Sequence, residues 1–163
     1  MALADFQKFL IQNELGSIVQ PFKSGELART AAGAAETIGC EVSQIVKSLL
    51  VKVGEEFFMF LVPGDKRLDL EFLSEYFQGE KVRMSNADEV KEVTGYSIGG
   101  VPPFGHKQKL KTFILPGFQK GKSAYAAAGD KSVTFEISYV ELVRLSGAKL
   151  LSHACPACGD KGD

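Results

Sequence analysis

The sequence predicts a single α/β (mixed α+β) domain with a curved, barrel-like mixed β-sheet flanked by helices. The chain has 163 residues, enough for one sizeable core and too few for two. Its composition, 45% hydrophobic and 24% charged, is typical of a globular protein. Strands predicted to form hairpins alternate with short capped helices, and this order favours a mixed sheet over a doubly wound parallel one.

Helices are predicted where a capping residue precedes apolar residues at helical spacing. Their predicted first or capping residues are Asp5, Thr30, Asp69, Ser85 and Ser138. The last four helices end at Gly39, Gly79, Gly95 and Gly147. Ser85 caps the fourth helix through a Ser-x-x-Asp pattern with Asp88, and Ser138 pairs with Glu141 in a capping box. The second helix, over 31–38, is mostly alanine and can therefore lie close to a sheet or a ligand.

Strands are predicted where β-branched and aromatic residues lie between turn residues. The predicted strands cover 18–22, 45–53, 57–62, 82–84, 112–115, 124–128 and 132–137. The turn at 54–56 joins two of them in an antiparallel hairpin. Alternation places Lys47 in the apolar row of Ile45 and Leu49. Such a lysine either extends to water or is held in a pocket with a partner anion, and the strand pattern leaves both alternatives open.

The most unusual stretch is the Gly/Pro-rich loop over 94–106, Thr-Gly-Tyr-Ser-Ile-Gly-Gly-Val-Pro-Pro-Phe-Gly-His. Its glycines permit positive φ and close approach of a ligand, while Pro102 and Pro103 fix φ and remove N–H groups. A stiff loop with exposed N–H groups suits a carbonyl, carboxylate or phosphate oxygen. An ordinary surface turn is the alternative.

A run of lysines follows this loop. No acidic residue occurs between Glu92 and Asp130, whereas Lys107, Lys109 and Lys111 lie in that interval together with two further lysines. This local positive charge fits a phosphate-bearing substrate, or simply a solvated face.

The C-terminal tail, 151–163, contains His153, Cys155 and Cys158. These are three soft ligands without the second Cys pair of a zinc ribbon, so a disulfide or a flexible tail competes with a metal or redox site. Cys40 is alone and fits a buried thiol.

Other function classes lack support in the sequence. It has no nucleophile elbow, Walker loop or dinucleotide fingerprint. The longest strongly apolar run, 57–62, is too short to cross a bilayer, and no signal sequence is recognised, so we expect a cytoplasmic protein.

Two motifs in this order carry a family resemblance. They are Ile-Val-Lys-Ser-Leu over 45–49, and Thr-Gly-Tyr followed by Gly-Gly-Val-Pro-Pro-Phe-Gly over 94–105. Over about 18–150 the chain resembles the YbaK/EbsC family of aminoacyl-tRNA editing domains, related to the insertion domain of bacterial prolyl-tRNA synthetase. We therefore expect an editing domain over 1–150.

The resemblance implies a trans-acting, metal-independent hydrolase without a cofactor. Its substrate would be the ester between a wrong small amino acid and a tRNA, most simply a proline tRNA, with prolyl-tRNA synthetase as an associated partner. The implied catalytic residues are Lys47, Gly99, Gly100, Val101 and Pro103. The expected substrate-binding residues are Thr30, Ala31, Ser48, Tyr96, Phe104 and Thr134, and the expected tRNA-binding residues are Lys107, Lys109 and Lys111.

Two departures from the family pattern bear on specificity. Where members specific for cysteine have a tyrosine on the first strand and an aspartate late in the sheet, this chain has Pro21-Phe22 and Thr134. Cysteine specificity is therefore unsupported. A non-catalytic tRNA- or nucleotide-binding module that assists a synthetase stays open as an alternative, as does, more weakly, a metal- or redox-responsive protein using Cys155 and Cys158.

Overall fold

Five α-helices and eight strands make up the described part of the chain, residues 2–23 and 30–151 of a computed structural model. The helices are α1 (Ala2–Gln12), α2 (Ala31–Ile38), α3 (Leu70–Tyr76), α4 (Ala87–Thr94) and α5 (Tyr139–Ser146). The strands are β1 (Phe22–Lys23), β2 (Val46–Val53), β3 (Glu56–Pro63), β4 (Val82–Met84), β5 (Lys111–Ile114), β6 (Ser123–Ala127), β7 (Val133–Ser138) and β8 (Lys149–Leu150).

The strands form two open sheets. One has five strands in the order β4-β2-β3-β5-β8, with antiparallel pairs around β2 and parallel pairs on both sides of β5. The other is antiparallel, in the order β1-β7-β6. A parallel bridge between Ile45 and Tyr125 joins them just before β2 begins. This mixed arrangement with flanking helices confirms the predicted fold class.

Alternation along β2 separates two hydrophobic clusters. Val46 and Leu50 face the larger one, which also contains α1, β6, β7 and the Gly/Pro-rich loop, and at its centre Phe6 is fully buried against Phe104 and Phe135. The opposite face of the five-stranded sheet packs against α3. The sheet is therefore covered on both sides, as the two apolar faces of β2 predict.

Most predicted helix ends are confirmed. Thr30 caps α2 by accepting a hydrogen bond from the Gly33 N–H at 3.0 Å, and Gly39 follows with φ +83°. Asp69 and Ser138 likewise cap α3 and α5.

Four local predictions were wrong. Helix α3 ends at Tyr76 with Phe77 as its C-terminal cap, so Gly79 does not directly follow the helix. Asp5 lies in the first turn of α1 and does not begin it. The strand predicted over 18–22 shrinks to β1, because Ile18 and Val19 both donate to the Leu15 carbonyl and continue a turn that buries Val19. Asn86, not Ser85, caps α4. Strand β8 was missed, since two residues carry no periodicity.

None of the helices in the described ranges is long and apolar enough to cross a membrane. His153, Cys155 and Cys158 lie outside the described residues.

Candidate active site

A cavity of about 620 Å³ lies where the two sheets meet. Its wall comes from segments distant in sequence: the start of α2, the first half of β2, the Gly/Pro-rich loop, the residues around the end of β4, and the β6–β7 hairpin. The volume and the largely apolar wall are typical of a small-molecule site. Of the predicted site residues, those on the wall are Thr30, Ala31, Lys47, Ser48, Gly99, Val101 and Thr134.

The cavity follows an edge of β2. Strand β4 pairs with β2 from Val51 to Val53, and Ser85 adds one hydrogen bond to Leu50, so in the described structure the stretch from Val46 to Leu49 has β3 on one side and the cavity on the other. The alanine-rich α2 closes the far side, with Ala31 and Ala34 on the wall. Small side chains there leave the space open.

Lys47 is half-buried beside this edge. Its ammonium group donates a hydrogen bond to the main-chain carbonyl of Lys66, in the turn after β3. The lysine thus has a defined partner within the fold while it also lines the cavity. This partner is a neutral carbonyl and not an anion, so both alternatives left by the strand pattern stay open.

The Gly/Pro-rich loop reaches the cavity through Gly99 and Val101. Gly99 has φ +88°, which favours glycine. A Cβ added to Gly100 would lie 3.1 Å from the Gly129 carbonyl oxygen, so the loop packs directly on the turn between β6 and β7. The Gly100 N–H donates to the Ser97 carbonyl at 2.9 Å. Among the described residues, the N–H groups of three wall residues of the loop, Ile98, Gly99 and Val101, have no hydrogen-bond acceptor, so a ligand oxygen could use them.

Hydrogen bonds within the loop hold it in this position. The Tyr96 hydroxyl donates to the Gly105 carbonyl at 3.0 Å, and the Lys107 N–H donates to the Thr94 carbonyl at 2.9 Å. Burial raises the pKa of Tyr96 to about 12, with a smaller contribution from Asp5. The hydroxyl therefore acts as a structural donor, not as an acid or base at neutral pH.

Four predicted site residues lie off the cavity wall. Tyr96 and Phe104 are buried in the larger hydrophobic cluster, and Gly100 and Pro103 are buried within the loop. The three lysines predicted to bind tRNA, Lys107, Lys109 and Lys111, are exposed and follow the loop outside the cavity.

Sequence reasoning missed several wall residues. Tyr125, Ala126 and Ala127 reach the cavity because Ile45 pairs with Tyr125, a contact across 80 positions that no local pattern reveals. Lys131 lies at the turn between β6 and β7, exposed and on the wall. It follows Asp130 and so lies outside the acid-free interval, and the charge pattern did not single it out.

The two departures from the family pattern lie together. Phe22 pairs with Thr134 across the β1–β7 ladder. Thr134 is buried and lines the cavity, whereas Phe22 is 40% exposed. Of these two positions, Thr134 therefore contacts the cavity directly, and Phe22 is its neighbour on the adjacent strand.

The hydroxyl oxygens of Ser48 and Ser85 are buried at this cavity and have no hydrogen-bond partner among the described residues. No cluster of three or more His, Cys, Asp or Glu side chains capable of holding a metal ion occurs within 2–23 and 30–151.

Comparison with known proteins gives consistent matches. The family model described as "Aminoacyl-tRNA editing domain" matches residues 25–145. The chain is 32% identical to the uncharacterised protein YwhH of Bacillus subtilis (strain 168), over 77% of this chain and 80% of that one. It is 28% identical to EbsC of Enterococcus faecalis, a proposed Cys-tRNA(Pro)/Cys-tRNA(Cys) deacylase, over 79% and 82% of the two chains.

A longer protein and a crystal structure are also similar to this chain. The proline–tRNA ligase of Thermosipho africanus is 30% identical over 80% of this chain, but the match spans 24% of the ligase. A crystal structure of a proposed trans-editing enzyme for prolyl-tRNA synthetase superimposes with a TM-score of 0.83 at 34% identity, over 91% of this chain and 94% of that one.

Proposed function

The chain belongs to the family of aminoacyl-tRNA editing domains, and from this we propose that it is a trans-acting deacylase that hydrolyses the ester of a mischarged tRNA. We assign a small amino acid on a proline tRNA as the substrate. Relatives of similar length, and the trans-editing enzyme that shares the fold, support an enzyme separate from the synthetase. The proposal places the protein in the cytoplasm, beside prolyl-tRNA synthetase.

The observation that carries the proposal is the convergence of Lys47 with the free N–H groups of Gly99 and Val101 on one cavity. Positive charge and fixed N–H donors match what an aminoacylated 3′ end presents, namely a phosphate and an ester carbonyl. The apolar wall at α2 and β6 provides room for a small side chain.

Hydrolysis requires no covalent intermediate with the protein. Water adds to the ester carbonyl carbon, the bond from that carbon to the ribose oxygen breaks, and the proton lost by water ends on the ribose hydroxyl. Negative charge develops on the carbonyl oxygen, where the N–H groups of Gly99 and Val101 would stabilise it. Lys47 would hold the ester or the adjacent phosphate in place. Gly100 and Pro103 would act by fixing the loop.

Substitution of Lys47 tests the proposal. We expect Lys47→Ala to lower kcat/KM for the mischarged tRNA by about 100-fold or more, the order of effect expected when the reacting ester is no longer held in place. The assay measures release of alanine, cysteine, serine and proline from the corresponding charged proline tRNAs.

The matched control is Lys52→Ala. Lys52 belongs to the same strand, does not line the cavity and forms a salt bridge with Glu55. Equal loss of activity in both variants, or full activity in Lys47→Ala, would contradict the assignment. Binding of tRNA without release of any amino acid would instead support a non-catalytic module that uses Lys107, Lys109 and Lys111, and such binding should weaken steeply with salt.

A further inference from the structure

Ser48 and Ser85 lie on the same face of the five-stranded sheet. Ser85 donates its N–H to the Leu50 carbonyl at 3.1 Å, which extends the β2–β4 ladder by one residue beyond the pair Val51–Met84. Residues opposite each other in an antiparallel ladder share a face, and so do residues two apart in a strand. The side chains of Ser48, Leu50 and Ser85 therefore all point toward the cavity, with the serines as diagonal neighbours.

The main chain of Ser48 also points to the cavity edge. The Leu50 carbonyl is directed toward β4, and the direction of the main-chain groups alternates along a strand. The N–H and C=O of Ser48 are thus directed toward the same edge of β2 as those of Leu50. At Ser48 this edge is no longer paired with β4.

Unpaired hydroxyls in this position are unfavourable unless a ligand uses them. Both oxygens are buried without a partner among the described residues, and Ser85 as a whole is only 8% exposed. A buried polar group without a hydrogen bond is unfavourable because it has lost its hydration and gained no partner. The wall also carries the hydroxyl side chains of Thr30, Tyr125 and Thr134, but none of them is hydrogen-bonded to either serine.

We propose that Ser48 and Ser85 form the polar end of the amino-acid pocket and make it selective for a substrate whose side chain carries a hydroxyl group, serine in preference to alanine. This inference rests on the proposed deacylase function and specifies its substrate. A seryl hydroxyl both donates and accepts, so it satisfies both pocket serines. An alanyl methyl group leaves both unpaired, and sites built to bind a hydroxyl discriminate strongly against analogues that lack it.

The experiment compares seryl and alanyl esters on the same proline tRNA. For the wild-type protein we expect a ratio of kcat/KM for serine over alanine of about tenfold or more, since one hydrogen bond of about 1.4 kcal/mol corresponds to that factor. In the double variant Ser48→Ala/Ser85→Ala the ratio should fall toward one. Ser74 lies on α3, and its hydroxyl donates to the Glu80 carbonyl away from the cavity. In the control variant Ser74→Ala the ratio should therefore stay as in the wild type.

A binding measurement separates this inference from the proposed function. Calorimetry with adenosine carrying a 3′-amide-linked serine or alanine reports selectivity without hydrolysis and without any variant. Tighter binding of the seryl compound with no hydrolysis of either ester would overturn the deacylase and retain the selectivity. Hydrolysis of both esters at a ratio near one, or a ratio that the double variant leaves unchanged, would overturn the selectivity and retain the deacylase.

Discussion

His106 shows how single side chains stiffen the Gly/Pro-rich loop. Its Nε2 lies 2.6 Å from the Pro102 carbonyl oxygen, so the neutral ring donates a hydrogen bond across the two prolines. Burial lowers the pKa of His106 below its ordinary value of 6.5, and the hydrogen bond to the carbonyl opposes this shift only in part. The folded protein thus prefers the neutral imidazole.

This preference predicts a loss of stability in acid. As the pH falls below 6.5, the unfolded chain takes up a proton at His106 that the folded chain does not, until the pH reaches the lower folded-state pKa. The free energy of unfolding should therefore fall between pH 7.5 and 5.5, with a slope of at most about 1.4 kcal/mol per pH unit from this group.

Chemical denaturation of the wild type and of His106→Gln at both pH values measures the effect. Glutamine keeps a donor for the Pro102 carbonyl but does not titrate. Between pH 7.5 and 5.5 the free energy of unfolding should fall less in the variant than in the wild type. An equal fall in both proteins would show that His106 is not the cause.

Helix α4 illustrates what is decided at the scale of an element. It brings the chain from β4 to the loop, and its start is fixed by a reciprocal capping box in which Asn86 accepts from the Glu89 N–H and Glu89 accepts from the Asn86 N–H, both at 2.9 Å. Arg83 adds two hydrogen bonds of 2.8 Å to the Glu89 carboxylate. These contacts lower the pKa of Glu89 to about 2, with the Arg83 hydrogen bond as the largest cause. The helix start is therefore joined to β4 by side chains.

Replacing the true cap should destabilise the protein. We expect Asn86→Ala to lower the free energy of unfolding by about 1 kcal/mol, because an N–H at the start of α4 loses its acceptor. Asp88→Ala, the exposed residue of the Ser-x-x-Asp pattern, should cost less than half as much, since only its charge near the helix start is lost. Denaturant titrations compare the two, and a larger loss in Asp88→Ala would mean that the cap is assigned wrongly.

At the scale of the whole molecule, the segment before β2 connects the two sheets. The Gln44 side-chain amide donates to the Ser123 carbonyl at 2.9 Å, and Ile45 pairs with Tyr125. Gly64 supports this junction from the other side by donating its N–H to the Ile45 carbonyl at 2.8 Å. The cavity exists because these contacts set the spacing between the sheets.

The junction leaves no room for a side chain at Gly64. An added Cβ would lie 2.4 Å from the Val42 carbonyl oxygen and 2.9 Å from the Ala31 Cβ. We expect Gly64→Ala to lower the free energy of unfolding by about 1–3 kcal/mol, as overpacking does, and to reduce deacylation because Ala31 lines the cavity.

Gly16→Ala is the matched control, since no atom lies within 4 Å of a Cβ added there. It should be nearly neutral in both thermal unfolding and the deacylation assay. Equal stability of Gly64→Ala and Gly16→Ala would show that the junction adapts more readily than the structure implies.

The sequence by itself determined the features that depend on neighbouring residues. Caps such as Thr30, the β2–β3 hairpin and the glycine conformations of the loop follow from hydrogen bonds and steric limits that act within a few positions, and they are found as expected. The same locality explains the error at α4, because Ser85 and Asn86 are both good caps and only their surroundings select one.

Tertiary structure alone decided which of these segments share a cavity. The pairing of Ile45 with Tyr125, the position of Phe22 opposite Thr134, and the two unpaired serine hydroxyls all arise between segments far apart in the chain. Tyr96 and Phe104 looked like ligand contacts within the motif, yet the packing around Phe6 places them in the core. Such contacts depend on the summed burial of the whole chain, which no local pattern encodes.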